Sequence, residues 1–484
     1  MRSLLPNISE KGVLTFAASL LALGIFIAGC TSSVTNTNST SNLIPNVNTS
    51  TSPVRITDAP SDQVLAASLT LNSLVLTDST GKVTTNLLPA TGLTFEASHL
   101  DAVQEPLFTP AIPEDTYVSA TLIYSNAQVA YVDTITKTVD LVTATLANTS
   151  QTITFSAPVT INNTTTSLLV DFLAGKTGVI TISGSTVTVT PQFNIAAVPI
   201  PNNPTNGTNG LLTGHKGKVT AISASTNSFT LTDPAGTAMT IYVNAATVYQ
   251  GISNFAALQV NALVEVDTVT VNGSGVLPAG SLVALRVDVE DTGTTPKKLL
   301  LGPVTSVTGT PATSFNMLLR QLVGNSSATA VETVNVSVTG ATNFLLPPRY
   351  TVLATVLPFA PSFTASTIFA GQHVAVITTG VTSGAATATT VLLQPQTISG
   401  AITNITTSGA YTVYTVTLPT DSWLAKLTNQ STVLVYTNSM VVPLTATTPA
   451  VSATMRFNGY LFNVGGTLRL VACLQAGPPG IPII

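Results

Sequence analysis

Val187-Thr188-Val189-Thr190 and Val413-Tyr414-Thr415-Val416-Thr417 alternate apolar and polar residues, with β-branched or aromatic side chains at every position. A period of two puts all the apolar groups on one face of an extended chain, and β-branched residues pack well on a pleated surface. Both stretches therefore predict β-strands with one buried face. The pattern recurs in Ser68-Leu69-Thr70-Leu71, Thr152-Ile153-Thr154-Phe155 and Val179-Ile180-Thr181-Ile182, each bounded by turn-forming residues. From residue 53 onward alternation outweighs helical spacing, and the fold class predicted is all-β. The outward positions are mainly hydroxyls. A chain that is 44% apolar and only 7% charged, with a mean hydropathy of +0.45, can thereby still present a polar face.

The 484 residues suit three or four domains. Disorder driven by charge is excluded for most of the chain, because apolar residues are plentiful and charges few. Sixteen basic and twenty acidic residues give a net charge of −4, and no basic block is present, so nucleic acid is not an expected partner. Three histidines and two cysteines leave few groups able to serve as bases, nucleophiles or soft metal ligands. No nucleophile elbow, His-Glu-x-x-His helix, Cys-x-x-Cys pair, P-loop or dinucleotide fingerprint occurs, and no cofactor is expected. His99, His215 and His373 fall in three different predicted units, so each is expected at a surface or strand end, sharing no site.

The N-terminus reads as an address. Arg2 and Lys11 precede an apolar run over residues 13–27, which closes on Ile27-Ala28-Gly29-Cys30. A run of about 15 residues is short for a membrane span, which needs about 20, and small residues before a cysteine suit a cleavage site. The segment resembles bacterial lipoprotein signals. That resemblance implies that residues 1–29 are a signal peptide and that Cys30 becomes the lipidated first residue of an exported, membrane-anchored chain. The alternative is an uncleaved anchor helix. Thr31, where an acidic residue would retain the protein at the inner membrane, favours the outer membrane. Residues 30–52, rich in Ser, Thr and Asn, read as a flexible tether. With Cys30 lipidated, Cys473 has no intrachain partner and is expected to be a buried thiol.

A Pro/Asn/Gly stretch at residues 199–210 separates an N-terminal block, residues 53–199, of a size suited to one β-sandwich. The block contains Arg55-Ile56-Thr57-Asp58-Ala59-Pro60-Ser61-Asp62, then Pro113-Glu114-Asp115-Thr116-Tyr117, then Leu168-Leu169-Val170-Asp171-Phe172. These segments resemble domain of unknown function 4382, found in prokaryotic lipoproteins. The resemblance implies an all-β fold and carries no catalytic residue.

The rest of the chain repeats. Gly217-Lys218-Val219-Thr220-Ala221-Ile222, Gly302-Pro303-Val304-Thr305-Ser306-Val307 and Gly400-Ala401-Ile402-Thr403-Asn404-Ile405 share Gly-x-(Val/Ile)-Thr-x-(Ile/Val), and each precedes a second strand. Spacings of roughly 85 to 100 residues suit small closed barrels. Phe255-Ala256-Ala257-Leu258 and Phe369-Ala370-Gly371-Gln372 suggest a short helical turn before a later strand. The expectation is three OB-like barrels, over residues 213–293, 298–394 and 395–476. The openings resemble domain of unknown function 5666, which has no established activity. Asp288-Val289-Glu290-Asp291 and Lys297-Lys298 read as a solvated join between the first two units.

Candidate site residues are few. Asp58 and Asp62 flank a turn and are either a calcium or polar-ligand loop or plain turn chemistry, as are Glu114 and Asp115. Trp423 is expected as a core or loop anchor, and Tyr124 and Tyr131 as a hairpin pair. The function these readings favour is a non-catalytic cell-envelope lipoprotein that binds or scaffolds, with the membrane as one partner and a polysaccharide or another envelope protein as a second. A carbohydrate-active enzyme working through carboxylates such as Asp58 and Asp171 is the alternative. An outer-membrane barrel is a third, disfavoured by the lipobox, the linkers and too few aromatics for two girdles.

Overall fold

A computed structural model describes residues 48–58, 61–100, 104–162, 166–199, 211–234, 236–272, 277, 279–293, 295–324, 331–347, 350, 357–443 and 449–476. The signal peptide, Cys30, the tether up to residue 47, residues 200–210 and the tail from 477 lie outside the described residues. Strands dominate, as the alternation predicts; Val413 to Thr417, for example, fall within the strand Tyr411–Thr417.

The N-terminal block carries two main sheets. In one, Ser150–Ile161, Asp115–Val132, Val64–Asp78 and Leu93–Glu96 lie side by side. In the other, Phe193–Pro199, Thr166–Phe172, Val54–Asp58 and Glu105–Phe108 do so, with the middle pair parallel. Val54, Ile56, Leu168, Val170 and Phe172 from the second sheet and Leu69, Leu71, Leu74 and Tyr124 from the first belong to one buried cluster. Strand alternation then turns Arg55, Thr57, Ser167 and Asp171 to the opposite face of the second sheet. Thr49–Thr51, at the end of the stretch read as tether, pairs with Ala111–Pro113. Tyr124 and Tyr131 are not a hairpin pair: both lie on the continuous strand Asp115–Val132. Asn126-Ala127 is a bulge opposite Leu69, where the pairing register with Val64–Asp78 shifts and Asn126 takes φ 53, a left-handed conformation that Asn tolerates.

Beyond residue 210 one connection order recurs. Leu211–Ser223 pairs with Ser228–Thr232 and with Leu263–Asn272. Ser228–Thr232 continues to Ala238–Tyr242, and Leu263–Asn272 to Ala279–Asp291. A parallel contact between Ala238–Tyr242 and Ala279–Asp291 closes the sheet into a ring. Gln396–Ser408, Tyr411–Thr417, Thr432–Thr437, Thr454–Val464 and Thr467–Ala476 repeat this order with the same parallel closure. Lys298–Thr308, Ser314–Leu319, Glu332–Ser337 and His373–Thr378 do so again, with a fifth strand broken into Ala385–Thr387 and Thr390–Leu393. The expected helical turn is a 3-10 turn at Phe255–Ala257 in the first ring. In the third ring a helix, Trp423–Thr428, instead follows the second strand, capped by the Ser422 side chain and ended by Asn429 at φ 55.

The repeated motif has a structural meaning. Its Thr is the residue skipped by the pairing of first and second strands, at Thr220, Thr305 and Thr403. Each Thr hydroxyl donates to a second-strand carbonyl, of Thr230, Asn316 and Thr415 respectively, at 3.4, 3.2 and 3.1 Å. The bulge bends the first strand so that it serves two neighbours, and the Gly three residues earlier lets the second strand pass close by.

The modules share cores. Leu65, Ala66, Ala130 and Val132 of the N-terminal block cluster with Leu318 of the second ring and with Trp423 and Phe457 of the third. Tyr460, Phe462, Val471 and Cys473 of the third ring join the core of the second. The described residues belong to one compact unit. Among the described residues no helix is long and apolar enough to cross a membrane.

Candidate functional site

Asp58 and Asp62 are engaged by protein donors. Asp58 is buried and accepts from the Ala174 backbone N–H at 3.1 Å. Asp62 accepts from the Ser399 hydroxyl of the third ring, while its carbonyl accepts from Trp423 N–H at 2.9 Å. Burial pushes the Asp62 carboxyl up to about 6 against the pull of the Ser399 hydrogen bond. The two side chains thus face separate partners, one within the N-terminal block and one across to the third ring. Asp115, the first residue of the strand Asp115–Val132, accepts from its neighbour Thr116 N–H at 2.7 Å.

The histidines overturn the expectation that they share no site. Glu105 opens its strand between two of them: His99 Nε2 is 3.1 Å from one carboxylate oxygen, and His215 Nδ1 is 3.5 Å from the other. His99 Nδ1 lies 3.2 Å from Glu96, and Glu96 also accepts from the N–H groups of Ala67, Ser98 and His99. Burial alone would push His99 down, but Glu105 and then Glu96 outweigh it and hold the imidazolium up to about 10. His215, only 2% exposed, is raised too, because Glu105 overcomes its desolvation. Glu105 in turn lies well below the usual carboxylate range despite burial, owing to the two histidines. At neutral pH this is a locked ion cluster tying the N-terminal block to the first ring, without a free base.

His373 comes to the same region from the second ring. A cavity of about 60 Å³ is lined by Asp62, His99, Arg320, His373, Gln396 and Trp423, among others. Sequence distance hides this convergence because docking of the modules creates it. Trp423 is an anchor, as expected: it is 8% exposed and starts the third-ring helix.

A second ion cluster covers the outer face of the first ring. Lys216 pairs with Glu265, while Arg286 reaches Glu265, Asp267 and Asp288 at 3.3, 3.2 and 3.1 Å. Asp288 and Glu290 are not a solvated join. They lie in the strand Ala279–Asp291 and, with Glu265, face Gln394 and Tyr460 across a cavity of about 30 Å³. Burial, helped by the surplus of carboxylates, pushes Glu290 up to about 7 and Asp288 up to about 6. Asp291, at the end of that strand, forms an ion pair of 2.6 Å with Lys297.

Among the described residues no group of three or more His, Cys, Asp or Glu is arranged to hold a metal ion. Cys473 is a buried thiol. Asp58 and Asp171, the carboxylates considered for glycosidic chemistry, do not form a pair: Asp171 aligns with Thr57 on the neighbouring strand, so Asp58 points to the opposite face.

No curated protein matches the chain. Residues 216–288, which span most of the first ring, match the family described as Domain of unknown function (DUF5666).

Proposed function

We propose that the protein is a non-catalytic lipoprotein of the cell envelope, exported and lipid-anchored at Cys30, at the outer membrane. In this reading a β-sandwich and three OB-like barrels work as one binding or scaffolding body for a polysaccharide or another envelope protein. The observation that carries it is the lock of His99 and His215 on Glu105. Two of the three histidines are thereby held as structural cations between modules rather than offered as bases to a substrate. The shared cores support a rigid scaffold, and the ring order, in which the third strand closes on the fifth, supports the OB-like reading. The lipobox and the resemblance of the N-terminal block to domain of unknown function 4382 support the envelope placement. Opposed faces for Asp58 and Asp171 weigh against the glycosidase alternative, since both its carboxyls must flank one bond.

The test has two arms. Radiolabelled palmitate should enter the full chain expressed in a diderm bacterium and should not enter Cys30→Ala; label in both, or in neither, overturns the anchor. The full chain, in detergent, should be retained saturably by one member of a panel of envelope polysaccharides or envelope proteins, with no change in the polymer. Release of reducing ends from a retained polysaccharide would overturn the non-catalytic reading.

A further inference from the structure

Arg320 sits at the break between the strands Ser314–Leu319 and Gln321–Val323, fixed there by its backbone N–H bonded to Leu301 O at 2.9 Å. Among the described residues its guanidinium makes no ion pair and no hydrogen bond, and its Nε is buried. The charge acting on it comes from Glu96, but that carboxylate already holds His99 and three backbone N–H groups. Arg320 is half-buried, and a guanidinium whose Nε is shielded from water with no counterion of its own favours an anionic partner.

His373 sets the second requirement. Its Nδ1 is 3.1 Å from the Pro395 carbonyl, which can only accept, so Nδ1 carries the proton and Nε2 presents a lone pair. Nε2 is buried without a hydrogen-bond partner. Burial and the Arg320 charge keep the ring neutral, with its pKa pushed down to about 3. Arg320 and His373 line one cavity of about 60 Å³. That volume holds about four water-sized centres, enough for one tetrahedral ion and too little for a sugar ring. Asp62 lines the cavity as well, with its carboxylate tied to Ser399, and adds a second acceptor.

The geometry points to a small oxyanion that keeps a hydrogen at neutral pH, the class of inorganic phosphate, bound between the Arg320 guanidinium and His373 Nε2. Arg320 takes the charged oxygens and His373 accepts from the P–OH group. Sulfate has no such hydrogen and would leave Nε2 unsatisfied, so the site discriminates by the acceptor as well as by charge.

Calorimetry on the full chain in detergent at pH 7, with inorganic phosphate, sulfate and glycerol 3-phosphate as probes, tests it. Phosphate should bind saturably, one per chain, with sulfate and the bulkier ester weaker by about tenfold or more. Arg320→Gln should weaken phosphate by at least about tenfold, and His373→Phe should narrow the gap between phosphate and sulfate. No phosphate binding overturns the site; sulfate bound as well as phosphate overturns the role of His373, and the ester bound as well overturns the free ion. Should either variant fail to fold, NMR of the native chain decides. With three histidines its imidazole spectrum is simple, and phosphate must shift the His373 signals; unshifted signals overturn the proposal.

Discussion

The Cβ that Gly302 lacks would stand 1.8 Å from the carbonyl oxygen of Leu318 on the adjoining strand. The equivalent glycines are as crowded: Gly400 would meet Thr417 O at 2.2 Å, and Gly217 would meet Leu231 Cγ at 2.6 Å. Backbone cannot yield as a side chain does. Gly302→Ala is therefore expected to destabilise the fold by about 3 kcal/mol or more, Gly400→Ala nearly as much, and Gly217→Ala least, because the Leu231 side chain can give way and the nearest backbone atom, Thr232 O, lies farther off at 2.8 Å. Urea unfolding of the three variants measures the order; a Gly302→Ala midpoint equal to the native one would mean that the strands do not cross this closely.

Glu105→Gln removes the one carboxylate that His99 and His215 share. Leaving two buried imidazoles short of a counterion should cost about 3 to 5 kcal/mol near pH 7. The sign of the pH dependence follows from His99, raised to about 10. Its contribution is complete below its unfolded value of about 6.5 and fades as pH climbs through 10. The native chain should thus lose stability from pH 7 to 10, and the variant should lose less over the same range. Parallel melting curves across that range would sink the idea.

The class of fold was legible because the period of two is a local property, written in segments such as Val413 to Thr417. The Gly-x-(Val/Ile)-Thr repeat was legible as a pattern, although its cause, a bulge at Thr220, Thr305 and Thr403, needs the partner strand to be seen. That the strand runs on between Tyr124 and Tyr131 was not legible, because Asn126 in the left-handed region serves a bulge as readily as a hairpin turn. The histidine cluster was out of reach. Glu105 and His215 are 110 residues apart, and nothing in either segment encodes which faces the modules bury against each other. One signal was available: in a chain with so few charges, Glu105 stands beside Pro106, Leu107 and Phe108 in a strand with no other charge, where an ion is costly unless paired.

Arg286 bridges Glu265, Asp267 and Asp288, with only 14% of its side chain exposed. Arg286→Gln should destabilise the chain by about 3 kcal/mol at pH 8, where the three carboxylates and Glu290 would repel one another. The loss should shrink toward pH 5. Asp288 and Glu290, already pushed up to about 6 and 7 by burial, take protons over that interval, and still more readily without the arginine. Melting temperatures of both proteins at pH 5 and 8 check it, and an equal deficit at the two values would count against the charge explanation.

Asp171 gives the opposite sign for a substitution. It is 1% exposed, and neither carboxylate oxygen has a hydrogen-bond partner among the described residues. Burial pushes it up to about 7, eased only by the charge of Arg456. The unfolded chain releases this proton near pH 4, so stability falls as pH rises from about 4 to 7 and stays lowered above, by on the order of 4 kcal/mol. Asp171→Asn is neutral at every pH and similar in shape to the protonated acid, but it buries an amide whose donors need partners, at about 1 kcal/mol. The variant should therefore melt above the native chain at pH 8 and slightly below it at pH 4.5. A deficit of the same size at both values would mean that Asp171 is not held as an uncompensated carboxyl, whereas a crossover between them would identify it as a group the fold tolerates at the expense of its own stability.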